Sequence, residues 1–246
     1  MMSLIRVLHA ETLKLKRTLA FRMIFIAPLL VVALQFFVGW NQRRPGAEFN
    51  LWDMIARTSL SVWAVFMLPL LITLETALIN GVEHGEKQWK HIFALPVPRH
   101  AVYAAKFLIA QALAAASTLI LCAMIVIVGL AFTRLRPDLP HAGAIPFIWI
   151  LKQAAFVWLA SWLIIAIHIW VSVRWQGFAL ALGAGIGGTF FAIFAAAARV
   201  GKYYPWLLPV NVFMEERFTT ALLLGAGGGL IAAVIGCVEF VRRDVV

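Results

Sequence analysis

The chain has 246 residues, of which 63% are hydrophobic and only 13% charged, and its mean hydropathy is +0.92. Soluble domains run near half apolar and about a quarter charged, so a water-soluble core is excluded and a bilayer is the solvent that fits. The net charge of +10 does not mark a nucleic-acid binder, because the basic residues fall between apolar runs rather than in one patch. Placed that way, they hold loops at the cytoplasmic face and meet the anionic headgroups of membrane lipids.

Residues 1–19 make the first element. The stretch from Ser3 to Arg17 is too polar to cross a membrane. Wound as a helix, it puts Leu4, Leu8 and Leu15 on one side, with Ile5 and Val7 flanking, and Arg6, His9 and Arg17 opposite; Lys14 and Lys16 fall at the margins. That is the pattern of an amphipathic helix lying in the headgroup plane. Glu11 sits on the leucine side. The position suits pairing with a cation on another segment, or a carboxylate reaching for water at the interface. The apolar run that follows, 20–40, has no small-residue cleavage site and is long enough to span, so it reads as a retained span rather than a signal peptide.

Further apolar runs lie at 58–80, 103–132, 145–172, 178–198 and 220–241, each long enough for a bilayer core. In lipid the backbone must satisfy its own hydrogen bonds, so these are helices. The expected fold class is therefore an all-α integral membrane protein, a single transmembrane domain over 1–246 made of one amphipathic helix and six spans. Pro28 and Pro69 fall inside spans and are expected to kink them. Lysine and arginine favour the side holding the N-terminus, the 81–106 segment and the C-terminus, which predicts both termini in the cytoplasm.

The connectors differ in character. Segment 41–57 is too short for a folded domain, and 133–144, with Pro137, Pro140 and Gly143, reads as a turn-rich link. Segment 199–217 carries Tyr203, Tyr204, Pro205, Trp206 and Pro209 and suits a headgroup-level lid or short re-entrant helices.

Within the spans, Cys122 and Cys237 read as small buried hydrophobes rather than a disulfide or metal site. Glu75 is the one acid well inside a span. A cavity-lining or cross-helix role and an interfacial, snorkelling role are both open to it. Lys152 and His168 lie near span ends and are expected at the interface. The run from Gly183 to Gly188 matches G-x-G-x-x-G but sits in an apolar helix without the strand that a dinucleotide site needs, so it reads, like Gly225 to Gly229, as a close-packing surface. No G-x-x-x-x-G-K-[ST] loop occurs, and no clustered nucleophile and base stands out.

The most informative stretch is 81–106, GVEHGEKQWKHIFALPVPRHAVYAAK, the largest polar insertion on the predicted cytoplasmic side. Glu86 and Lys90 are four apart in the favourable order, Trp89 and Phe93 share a face, and Pro96 and Pro98 stop the helix. Periodicity fits equally a knob for a soluble partner and an interfacial helix with its tryptophan in the headgroups.

This loop resembles that of the type-2 family of ATP-binding-cassette (ABC) export permeases. The resemblance rests on an acid after the second span, then a tryptophan, a leucine-proline-x-x-arginine turn, and a tyrosine and lysine opening the third span: Glu83, Trp89, Leu95, Pro96, Arg99, Tyr103 and Lys106. The segment from Glu11 to Arg17 is similar to the start of that family, where an elbow helix precedes the first span. The resemblance covers essentially the whole chain, and the short connectors look most like the small permeases of antibiotic-peptide immunity and export.

The resemblance implies a coupling helix around 83–93, within a cytoplasmic loop 81–102, that seats in a separate ATPase. Glu83, Glu86, Trp89, Lys90, Phe93, Leu95, Pro96 and Arg99 would form that docking region, and Glu11, Lys14 and Glu75 a charge network joining elbow and spans. It further implies two soluble ABC ATPase subunits holding ATP and magnesium, a second identical or paralogous permease, and a bacterial inner-membrane location. The chain itself would hold no cofactor and would not be an enzyme. The competing function is a stand-alone membrane enzyme acting on lipid or isoprenoid substrates, for which His84, His91 and His100 with Glu83 and Glu86 are compatible but have no recognisable spacing.

Overall fold

The computed structural model describes residues 2–15, 18–42, 50–85, 97–139, 144–175 and 177–242. They build an all-α membrane protein, with no strand among the described residues. An amphipathic elbow helix, Met2–Leu15, is followed by six helices long and apolar enough to cross a membrane. These spans are Leu19–Trp40, Leu51–Gly81, Arg99–Leu135, Phe147–Arg174, Phe178–Ala195 and Glu215–Arg242. Span three, at 37 residues the longest, packs against the elbow helix and against spans one and six. Span two is the most enclosed, wedged between spans four and five. Span six is the most exposed, with Leu230, Ile231, Val234 and Ile235 turned outward.

Span two begins at Leu51, earlier than its apolar run at 58, because the sequence supplies a start signal that hydropathy does not register. Asn50 is the N-cap, its side chain accepting from the Trp52 N–H at 3.1 Å. Leu51, Trp52, Ile55 and Ala56 are buried, while Asp53 and Arg57 pair on the exposed side. The adjoining C-terminal end of span one is tied down by Arg136, which donates to the carbonyls of Trp40 at 2.6 Å and Gln42 at 3.0 Å.

Three spans are interrupted near their middles. In span two the backbone widens into a π turn, Trp63–Met67, with the Leu68 N–H reaching back to the Trp63 carbonyl. Pro69 lies just beyond; it has no N–H to offer the preceding turn, and the wider turn absorbs the misfit. Span four stops and restarts at Ser161, whose N–H is shared between the carbonyls of Val157 and Trp158, both at 3.1 Å. Its hydroxyl also donates to Trp158 at 2.7 Å. Span six carries a second π turn, Leu223–Gly228.

The last two irregularities face each other. A Cβ on Gly225 would strike the backbone of Ala160, and one on Gly229 would stand 2.7 Å from the backbone of Trp162 and Leu163. Backbone meets backbone there, which only glycine permits.

Candidate functional site

Two polar clusters are built into the apolar frame. The first joins the elbow helix to the start of span three. Glu11 is buried, and its carboxylate accepts from Lys14 Nζ at 2.6 Å and Lys106 Nζ at 3.3 Å. Lys106 itself is fully enclosed, 0% exposed, beneath the elbow helix. Burial pushes the Glu11 carboxyl up, but the two ammonium groups, Lys106 foremost, outweigh it and hold the group below the ordinary carboxylate range. Arg99 opens span three two turns before Lys106 and donates to the carbonyl of Val241, in the last turn of span six, at 3.3 Å. Alongside, Glu239 of span six accepts from Trp170 Nε1 at 2.5 Å and from Arg174 at 2.7 Å, clamping span six to span four.

The second cluster is a polar strip between spans two and four. Thr73 Oγ1 lies 3.3 Å from His168 Nε2, and Asn80 donates to Ser172 at 2.7 Å. His168, near the end of span four, is fully buried within the helix bundle. The reason is the connector between spans five and six, which folds inward as short turns, Arg199–Lys202 and Pro205–Leu207, and a single helical turn, Leu208–Asn211. From it Trp206 packs edge-on against His168, with ring centres 5.6 Å apart, and Tyr204 donates to the Gly188 carbonyl at 2.9 Å. Gly185 and Gly188 of span five leave room for Thr73 and Trp206, which a Cβ at either position would strike. Lys152 is exposed, with its ammonium 5.8 Å from the ring centre of Phe156.

The structure brings Glu11, Lys14 and Lys106 together but does not bring Glu75 to them. Glu75 is 1% exposed, and both its carboxylate oxygens lack a hydrogen-bond partner among the described residues. An unpartnered buried carboxyl contributes nothing to the fold. Glu75→Leu is therefore expected to keep or raise the thermal denaturation midpoint in detergent; a lowered midpoint would give this carboxyl a structural partner. Arg99 is placed as described above. The backbone of Glu83 continues the helix of span two, while Glu86, Trp89, Lys90, Phe93, Leu95 and Pro96 lie outside the described residues.

Sequence reasoning missed the Glu239 clamp and the Thr73–His168–Trp206 cluster. Arg174 and Glu239 each close an apolar run, a signal that two span ends share a charge pair; no local signal sends Trp206 to His168.

Six helices long and apolar enough to cross a bilayer, with an amphipathic helix docked against the third, make a multi-pass membrane protein. Residues 7–196, from the elbow helix through span five, match the ABC-2 family transporter protein pattern. The chain belongs to that family, the membrane components of ABC transporters. No curated protein matches it.

Proposed function

We propose that the chain is the permease subunit of an ATP-driven exporter that moves an amphipathic substrate (a peptide antibiotic, lipid or drug) out of the cytoplasm or inner leaflet. Membership of the ABC-2 family carries this reading. Two ATPase subunits with ATP and magnesium dock on the 81–102 loop, and a second identical or paralogous permease completes the path. The location is the bacterial inner membrane, with both termini cytoplasmic, and the small antibiotic-peptide immunity and export permeases are the nearest functional type.

The buried Glu11–Lys106 pair supports a mechanical route. The loop joins spans two and three directly, and Lys106 follows Arg99 by two helical turns. A pull at the loop is then passed along span three to the elbow helix, so elbow and span move as one body. The docking contact is assigned to Trp89 and Phe93, with Glu86 and Lys90 beside them.

Gentle detergent extraction of the full chain is expected to bring a soluble P-loop ATPase with it. In Trp89→Ala/Phe93→Ala that ATPase is expected to be lost while the permease itself stays monodisperse. An active particle with no nucleotide-hydrolysing subunit, or loop 81–102 labelled from outside the cell, would overturn the assignment.

A further inference from the structure

Glu75 is enclosed in span two without a partner among the described residues, and no step above makes use of it. Its neighbours three and four positions away along the helix, Leu71, Ile72, Leu78 and Ile79, are all apolar and pack into the core. The polar strip on the same helix, Thr73, Thr76 and Asn80, is turned roughly 100–160° away about the axis. Its hydrogens are already given elsewhere. Thr73 and Thr76 donate to the carbonyls of Pro69 and Ile72 at 2.7 and 2.8 Å, and Asn80 donates to the Thr76 carbonyl and to Ser172.

The helices packed on this part of span two are spans one, three, four and five. Span five carries no titratable side chain, and the one on span one, Arg22, is exposed. Span four brings His168, set on Thr73, with Lys152 and Arg174 exposed towards its two ends. Span three brings Lys106, held under the elbow helix by Glu11, together with Arg99, His100, Tyr103, Cys122 and Arg134. None of these forms a hydrogen bond or an ion pair with Glu75. A carboxylate without a counter-charge in apolar surroundings costs far more than the uncharged acid. A hard metal cation would ask for about six oxygen ligands, and the described residues hold no group of three His, Cys, Asp or Glu side chains. A proton needs no further ligand.

We propose that Glu75 is a proton-binding site, the neutral acid in this enclosed conformation and a carboxylate only when span two parts from its neighbours and admits water. The proton leaves to that water and returns as the bundle closes, so movement of span two is linked to release and uptake of one proton. The inference uses this chain alone and stands or falls separately from the exporter assignment.

The test is infrared spectroscopy of the full chain in lipid at neutral pH, where an unionised carboxylic acid gives a carbonyl stretch distinct from carboxylate and amide bands. Wild type is expected to show that band and Glu75→Gln to lack it. Glu11→Gln is expected to keep it, because two ammonium groups hold the Glu11 carboxylate ionised. No such band in wild type, or a band that survives Glu75→Gln, overturns the proposal. The link to exposure is read from denaturation in mild detergent, where Glu11 titrates alike in wild type and Glu75→Gln. Unfolding brings Glu75 to water and frees its proton. As the pH rises above the ordinary carboxylate range, the unfolding equilibrium of wild type should therefore shift towards the unfolded state by about tenfold per pH unit relative to Glu75→Gln. A stability difference between the two that stays constant with pH overturns the proposal as well.

Discussion

Glu11→Ala is expected to weaken docking of the elbow helix by roughly 3 kcal/mol, the scale for removing one partner of a buried ion pair. The Lys14 contact contributes little of this, because Lys14 is 40% exposed and screened by solvent. The cost lies at Lys106, which is fully enclosed and would lose the carboxylate that faces it. Thermal scanning in detergent should register a lower midpoint, and a protease should reach the N-terminal segment sooner. Glu11→Met/Lys106→Met is expected to recover most of the loss, since two apolar side chains carry no desolvation penalty. A single variant as stable as wild type would remove the pair from the account of the fold.

The same pair predicts an acid response, and its sign is fixed. The folded-state value of Glu11 lies below that of the unfolded chain, so its contribution is present at neutral pH and lost as the pH falls through the folded value. Wild type should therefore lose elbow protection in acid, and the Met/Met variant should not share this loss.

Gly225→Val is expected to abolish the folded protein in the membrane fraction. The added Cβ would meet the Cα, carbonyl carbon and carbonyl oxygen of Ala160, none of which is the end of a flexible side chain. Overpacking a core costs about 1–3 kcal/mol when side chains can adjust, and here spans four and six would have to part. Gly227→Ala supplies the control, because nothing lies within 4 Å of its added Cβ. It should accumulate as wild type does. Normal amounts of a well-behaved Gly225→Val protein would show that the two helices do not meet in this way.

The spans were legible because a bilayer demands long apolar runs, and nothing in tertiary packing can waive that demand. Their irregularities were less so. Pro69 announced a disturbance in span two, but the breaks at Ser161 and Leu223–Gly228 involve no proline; they arise where two backbones press together, a relation between segments far apart in sequence. The early start of span two was hidden because Asp53 and Arg57 lower the local hydropathy, although Asn50 marks the cap. Glu11 stood out as an acid on an apolar face, yet only the packing of the elbow identifies Lys106 as its buried partner. The enclosure of His168 was hidden because the connector that covers it, carrying Trp206, comes from between spans five and six, far along the chain.

The facing interruptions in spans four and six bear on how force crosses the bilayer. A continuous helix pushed at one end delivers the same displacement at the other. These two are each divided about halfway, at a joint made of hydrogen-bond register rather than a fixed proline ring, and such a joint can change pitch without severing the chain. The half of each span nearest the elbow helix is thus divided from the half beyond it at the level where Ala160 and Gly225 meet.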